Sequence, residues 1–134
     1  MNDETVKQWL IKADNDVKIA KDEMATAEPV TDMVCFHMQQ CCEKYLKAFL
    51  IFNNQEYPRT HRIAHLIGLC ANLDPAFEEL AELGADRLTR FATAFRYGEE
   101  FYLPSQEETK AAIELGEKVR EFVLGKLRER GFQP

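Results

Sequence analysis

Residues that interrupt helices are scarce: the 134-residue chain has six glycines and five prolines, and most of them fall between patterned segments rather than inside them. No apolar stretch approaches the ~18 consecutive residues of a membrane span, because even the richest segment is broken by Gln, Glu and Lys. Cysteine is present four times but without a C-x-x-C pair, and Cys41 and Cys42 are neighbours. That excludes the usual zinc-ribbon and disulfide-scaffold spacings. No signal-like segment opens the sequence, so buried free thiols in a reducing cytoplasm are expected. Positive charge is also in short supply, with 17 basic against 23 acidic residues and a net charge of −6. Nonspecific nucleic-acid coats are driven by Lys and Arg displacing counterions, so any nucleic-acid contact here must be local.

Helical periodicity is what the sequence has instead. Val6, Leu10, Ala13, Val17, Ala20, Met24 and Ala27 alternate steps of four and three, with Trp9 widening the seam at its start. Pro29 ends that segment, and Thr31 or Asp32 can cap the next. The second helix then runs to about Asn53, with Val34, Met38, Cys41, Tyr45, Phe49 and Phe52 along a side broad enough for the centre of a bundle. A shorter helix is predicted from about Arg62 to Leu73. Asp74 and Pro75 restart the chain, and Phe77, Leu80, Gly84, Leu88, Phe91 and Phe95 keep a helical period that Gly84 can bend or split. Ser105 with Glu108 reads as a capping box for a last helix ending at Gly131. The expected fold is all-α: one domain, 1–134, an up-and-down bundle of four long helices plus one short helix.

The second helix also carries a polar strip of Gln39, Gln40, Glu43, Lys44 and Lys47. Periodicity alone leaves it open whether this is a wet outer face or the wall of a groove. Glu43 and Lys47 form an i, i+4 pair in the favourable order, worth only about 0.3–0.5 kcal/mol if exposed. His61 and His65 in "THRIAH" are spaced to share one helical face, but no third ligand stands at metal spacing, so no metal or cofactor is expected. Arg59, His61, Arg62 and His65 make the densest basic cluster, leading into a helix N-terminus, where either an anion site or a solvated loop would fit. Arg96 and Tyr97 before Gly98 read locally as a helix C-terminus.

Taken together, "QQCCEKYLKAFL", "PRTHRIAHLIGLC" and "FRYGEEFY", preceded by a Trp9-Leu10-x-x-Ala13-x-x-Asp16 opening, resemble the HEPN family (higher eukaryotes and prokaryotes nucleotide-binding domain) over nearly the whole chain. In that family the second helix reads roughly Q-x-x-x-E-K-x-x-K-A-x-L, a Thr-His follows the next loop, and an Arg-Tyr ends a later helix. The matching positions are Gln39, Glu43, Lys44, Lys47, Ala48 and Leu50, then Thr60 and His61, then Arg96 and Tyr97.

The resemblance implies a helical bundle, a homodimer, and a cytoplasmic partnership with a small nucleotidyltransferase of the toxin–antitoxin type. Nucleotide or RNA phosphate would be bound by Gln39, Glu43, Lys47, Arg59, His61, Arg62, Arg96 and Tyr97. Active family toxins are metal-independent ribonucleases with an Arg followed after four to six residues by His. Here Arg96 has no His after it, so catalysis is left open: a reconfigured site would pair His61 with Arg96, and the Arg59-to-His65 spacing is the other match. A non-catalytic adaptor is the third alternative.

Overall fold

The computed structural model describes residues 2–93 and 101–133, and those residues are helical with no strand among them. In chain order the helices are α1 (Asp3–Met24), α2 (Thr31–Phe52), α3 (Ile63–Leu73), α4 (Glu78–Glu82), α5 (Arg90–Thr93) and α6 (Gln106–Glu129), with 3-10 turns at Pro75–Phe77 and Ala85–Thr89. The expected all-helical bundle is what forms. The region read as a fourth helix is a chain of short helices and turns, broken where Gly84 takes a left-handed φ of 84°. An L side chain rarely adopts that conformation, and glycine does so without penalty.

α2 is the axis of the molecule. It packs against α1, α3, α5 and α6, and it buries Val34, Cys35, Met38, Cys41, Cys42, Tyr45, Leu46, Ala48, Phe49 and Leu50. Helical stability in proteins comes mostly from packing an amphipathic face, so this shared burial is what holds these helices of 22 to 24 residues. The close approach of α6 depends on Gly116, where an added Cβ would lie 2.2 Å from Met38 Cε. Phe77 links the two sides of the core: its ring stands edge-on to Phe49 at 4.4 Å and lies 5.0 Å from Phe122.

Two helical segments start on a side-chain cap. Asp74 accepts from Ala76 N at 3.0 Å with Pro75 in the first turn, and Ser105 Oγ accepts from Glu108 N at 3.0 Å. Glu108 does not return the bond to Ser105 as a full capping box would; its carboxylate accepts from the Tyr102 hydroxyl and pairs with Arg90. α6 ends as a Schellman motif: Phe132 N donates to Leu127 O at 2.9 Å across Gly131, whose φ is 95°, and the Phe132 ring is buried. α1, α2 and α3 start without a side-chain cap bond at Asn2, Val30 and Arg62. Thr31 is the first helical residue of α2 rather than its cap, and the Glu23 carboxylate accepts instead from Val30 N at 3.0 Å.

In α1, the seam residues Val6, Leu10, Ala13 and Ala20 are buried, while Val17 and Met24 are partly buried and Ala27 lies beyond the helix end, exposed. Asp16 takes the buried place beside Val17. A period of 3.6 puts both residues near the seam, and Asp16 is the one that finds polar partners on α2.

Candidate functional site

The polar residues of α2 are gathered into three clusters, each tying the helix to another element. The first joins α2 to the loop before α3. Gln39, fully buried, donates from Nε2 to the His61 carbonyl at 3.1 Å. Glu43 Oε1 meets His61 Nδ1 at 2.7 Å, with Gln40 Nε2 at 3.5 Å from its other oxygen and donating at 2.7 Å to Gln39 Oε1. The carboxylate is 6 % exposed and the imidazole 42 %. A carboxylate in this place fixes Nδ1 as a donor and sets the plane of the ring.

The second cluster joins α1 to α2. The two oxygens of Asp16 divide between His37 Nδ1 at 2.9 Å and Lys44 Nζ at 2.6 Å. The third adds α6: Asp14 Oδ1 takes the Tyr45 hydroxyl and, at 2.9 Å, Arg120 Nε. Burial, and then the bond to Asp14, pushes the Tyr45 phenol well above its usual titration range, so this hydroxyl stays protonated. Neither carboxylate–histidine pair is the start of a metal site; the third polar group is a lysine or a glutamine amide, and no group of three metal-ligating side chains occurs among the described residues.

The residues singled out in the sequence thus divide. Gln39, Glu43 and His61 come together. Lys47 lies one turn further along α2 with its ammonium 5.5 Å from the Tyr57 ring centre, and Tyr57 stands edge-on to Trp9 at 5.3 Å. The expected i, i+4 attraction of Glu43 and Lys47 gives way to the Glu43–His61 bond, because Glu43 is turned inward to the loop. His61 and His65 do not share a helical face, since α3 begins only at Ile63 and His65 is exposed on it. Arg59 and Arg62 are exposed. The first donors of α3 are taken by hydroxyls: Thr60 Oγ1 accepts from Arg62 N at 3.1 Å and Thr89 Oγ1 from Ile63 N at 3.0 Å. An anion here would therefore meet cationic side chains rather than those two amides. Arg96 and Tyr97 lie outside the described residues.

All four cysteines are buried and free, as their apolar setting in the sequence led one to expect. Burial pushes the Cys35 thiol up to about 11 and raises Cys41 and Cys70 as well. A nucleophilic thiol needs the opposite shift. Asp14, Asp16, Tyr57 and Trp9 were not among the expected site residues. The available signals were Asp14 and Asp16 flanking an apolar seam and an aromatic, Tyr57, in the loop just before Pro58.

Comparison with known proteins agrees with this architecture. A family model described as HEPN domain matches residues 6–127. The crystal structure of an archaeal HEPN homologue superimposes with a TM-score of 0.65 at 24 % identity, covering 91 % of this chain and 97 % of that one. No curated protein sequence matches the chain. The chain belongs to the HEPN domain family. Among the described residues no helix is long and apolar enough to cross a membrane.

Proposed function

We propose that this HEPN protein binds a nucleotide or an RNA phosphate through the polar face of α2, as a homodimer partnered with a minimal nucleotidyltransferase in a toxin–antitoxin-type pair in the cytoplasm. The observation that carries the binding reading is the clamp on His61: a nearly buried carboxylate at 2.7 Å orients a ring that is 42 % exposed. Stability alone would be served as well by an apolar pair, since burying a carboxylate is costly. Lys47 lies on the same helix, Arg59 and Arg62 flank His61 in sequence, and the described chain before Arg96 and Tyr97 runs through Thr89, which is bonded to the head of α3. Gln39 and Glu43 hold the loop; Lys47, Arg59, His61, Arg62, Arg96 and Tyr97 supply contacts to the anion. The homodimer and the nucleotidyltransferase partner rest on family membership. Equilibrium dialysis with nucleoside triphosphates and short RNA tests the binding reading: saturable binding reduced at least tenfold by His61→Ala and by Arg96→Ala supports it, and binding unchanged in both variants contradicts it. Stable co-purification with a co-expressed nucleotidyltransferase tests the partnership.

A second reading, metal-independent ribonuclease, is favoured by the same carboxylate–imidazole pair. An imidazole whose Nδ1 proton is held by Glu43 is suited to take the 2′-hydroxyl proton through its other nitrogen as the 2′-oxygen attacks the adjacent phosphorus, giving a 2′,3′-cyclic phosphate while the 5′-oxygen leaves as a hydroxyl with a proton from water, and Arg96 steadies the phosphate. Cleavage of total RNA in chelator, lost in His61→Ala, supports the enzyme; no cleavage leaves the binding module or an adaptor with neither activity.

A further inference from the structure

Between α1 and α2 a furrow of about 460 Å³ is lined by Gln8, Trp9 and Lys12 of α1 and by Lys44 of α2. Its walls can be followed by contact. The loop after α2 doubles back along the helix, so that Tyr57 lies beside Lys47 and His61 beside Glu43. α1 lies along the opposite side, with Trp9 against Tyr57 and Asp16 against Lys44. The trough itself is lined by Gln8, Trp9, Lys12 and Lys44; Tyr57 and Lys47 adjoin it through Trp9, and His61 stands beside Glu43 on the same polar strip of α2 from Gln40 to Lys47. Seven helical residues span about 10 Å, the axial length of roughly three stacked nucleotides.

The chemistry along that strip and the adjoining trough changes with position. Near His61 it is polar and hydrogen-bonding. At the far end it combines a half-buried indole and a phenol with the ammonium groups of Lys12 and Lys47, in a chain whose net charge is −6. Lys44 is held by Asp16 at 2.6 Å and contributes mainly its aliphatic stem to the wall. Aromatic faces interleaved with cations are how sequence-tolerant sites take single strands: bases stack on the rings and phosphates follow the lysines. A closed duplex presents no open base to such a ring.

We propose that this trough is a single-strand RNA subsite, with a base against Trp9 and flanking phosphates at Lys12 and Lys47, leading the strand toward His61. The proposal rests on the nucleotide- or RNA-binding reading and specifies its ligand as an unpaired strand of two or three nucleotides.

Trp9 is the sole tryptophan, so its emission reports directly on the subsite. The full-length protein is titrated with fluorescein-labelled 2′-O-methyl hexauridylate, which lacks the free 2′-hydroxyl needed for cleavage. RNA anisotropy and Trp9 emission are read together. Binding should quench Trp9 saturably and weaken about tenfold between 50 and 200 mM salt, as two or three phosphate contacts require. Lys12→Glu, at an exposed position, should weaken binding roughly fivefold or more with the helical circular dichroism signal unchanged. Rising anisotropy with unaltered Trp9 emission, or with Lys12→Glu binding as wild type, overturns the subsite while the general binding reading stands. Equal quenching by hexaglutamate overturns it in favour of an acidic protein segment. No anisotropy change overturns the subsite, and dialysis with nucleoside triphosphates then decides the general binding reading separately.

Discussion

Glu43 and His61, eighteen residues apart in sequence, meet at 2.7 Å with the acid inside the bundle and much of the imidazole outside it. The pair fastens the α2–α3 loop to the central helix and gives an otherwise loop-borne side chain a fixed direction. Loss of His61 leaves a buried carboxylate short of its principal partner, which costs about 1–3 kcal/mol. His61→Ala and Glu43→Gln should each lower the urea midpoint. The double variant should lose less than the sum of the two, with a coupling of at least ~0.5 kcal/mol. Strict additivity in the double-mutant cycle would mean that the two side chains do not interact in solution.

Gly116 and Gly125 lie on the same helix but face different surroundings. At Gly116 an added Cβ meets Met38 Cε at 2.2 Å and Cys41 Sγ at 3.4 Å, so the flexible end of the buried Met38 side chain must shift within the core to admit it. Gly116→Ala should destabilise by about 1–3 kcal/mol through overpacking. Gly125 has nothing within 4 Å of an added Cβ, so Gly125→Ala should stabilise by roughly 0.5–1 kcal/mol from helix propensity. Thermal melts of the two variants should therefore shift in opposite directions.

The buried thiols give the protein an alkaline weakness. Cys35 is raised from 9.0 to about 11 in the fold. The folded state thus keeps a proton that the unfolded chain releases, and stability is complete below pH 9 and declines as pH rises from 9 toward 11. Cys41, Cys70 and the Tyr45 phenol are shifted in the same direction and extend the decline. Urea midpoints measured at pH 7, 8, 9 and 10 should be flat at first and then fall, and a thiol reagent at pH 8 should label the native protein at the rate of unfolding. A midpoint that rises above pH 9 would contradict this.

Asp14 is bonded to both Tyr45 and Arg120, so one carboxylate joins α1, α2 and α6. Tyr45→Phe keeps the ring and leaves Asp14 with Arg120, and should cost about 1 kcal/mol. Asp14→Ala strips the buried hydroxyl of its acceptor and should cost more. Chemical denaturation of both variants tests the order.

Much of this architecture was legible in the chain. The spacing of Val6, Leu10, Ala13 and Ala20 gave the inward face of α1, the wide apolar arc of α2 marked it as central, and the Asp74-Pro75 and Ser105 caps stand where their chemistry puts them. Gly84 was read as a point where one long helix could bend or split, and its left-handed φ instead divides that segment into short helices and turns. What could not be read was where Glu43 would point. On a helical wheel it pairs with Lys47, a contact of a few tenths of a kcal/mol; the bond that wins is to a loop residue whose position depends on tertiary packing. Asp16 was similarly hidden, since its burial follows from the His37 imidazole and the Lys44 ammonium that α2 offers it rather than from its place beside the seam. The head of α3 could be read in sequence as an anion site or as a solvated loop, and the sequence could not show that two of its amides are taken by the Thr60 and Thr89 hydroxyls, one from the preceding loop and one from a turn 26 residues away.

The central claim is that the His61 end of the α2 face receives the anion. The most direct test is two-dimensional proton–carbon NMR of the three histidine rings during titration with 2′-O-methyl hexauridylate. The account predicts that the His61 resonances, assigned from their loss in His61→Ala, move saturably with the same affinity that RNA anisotropy reports. Binding that leaves the His61 signals where they were, or no binding at all, would contradict it.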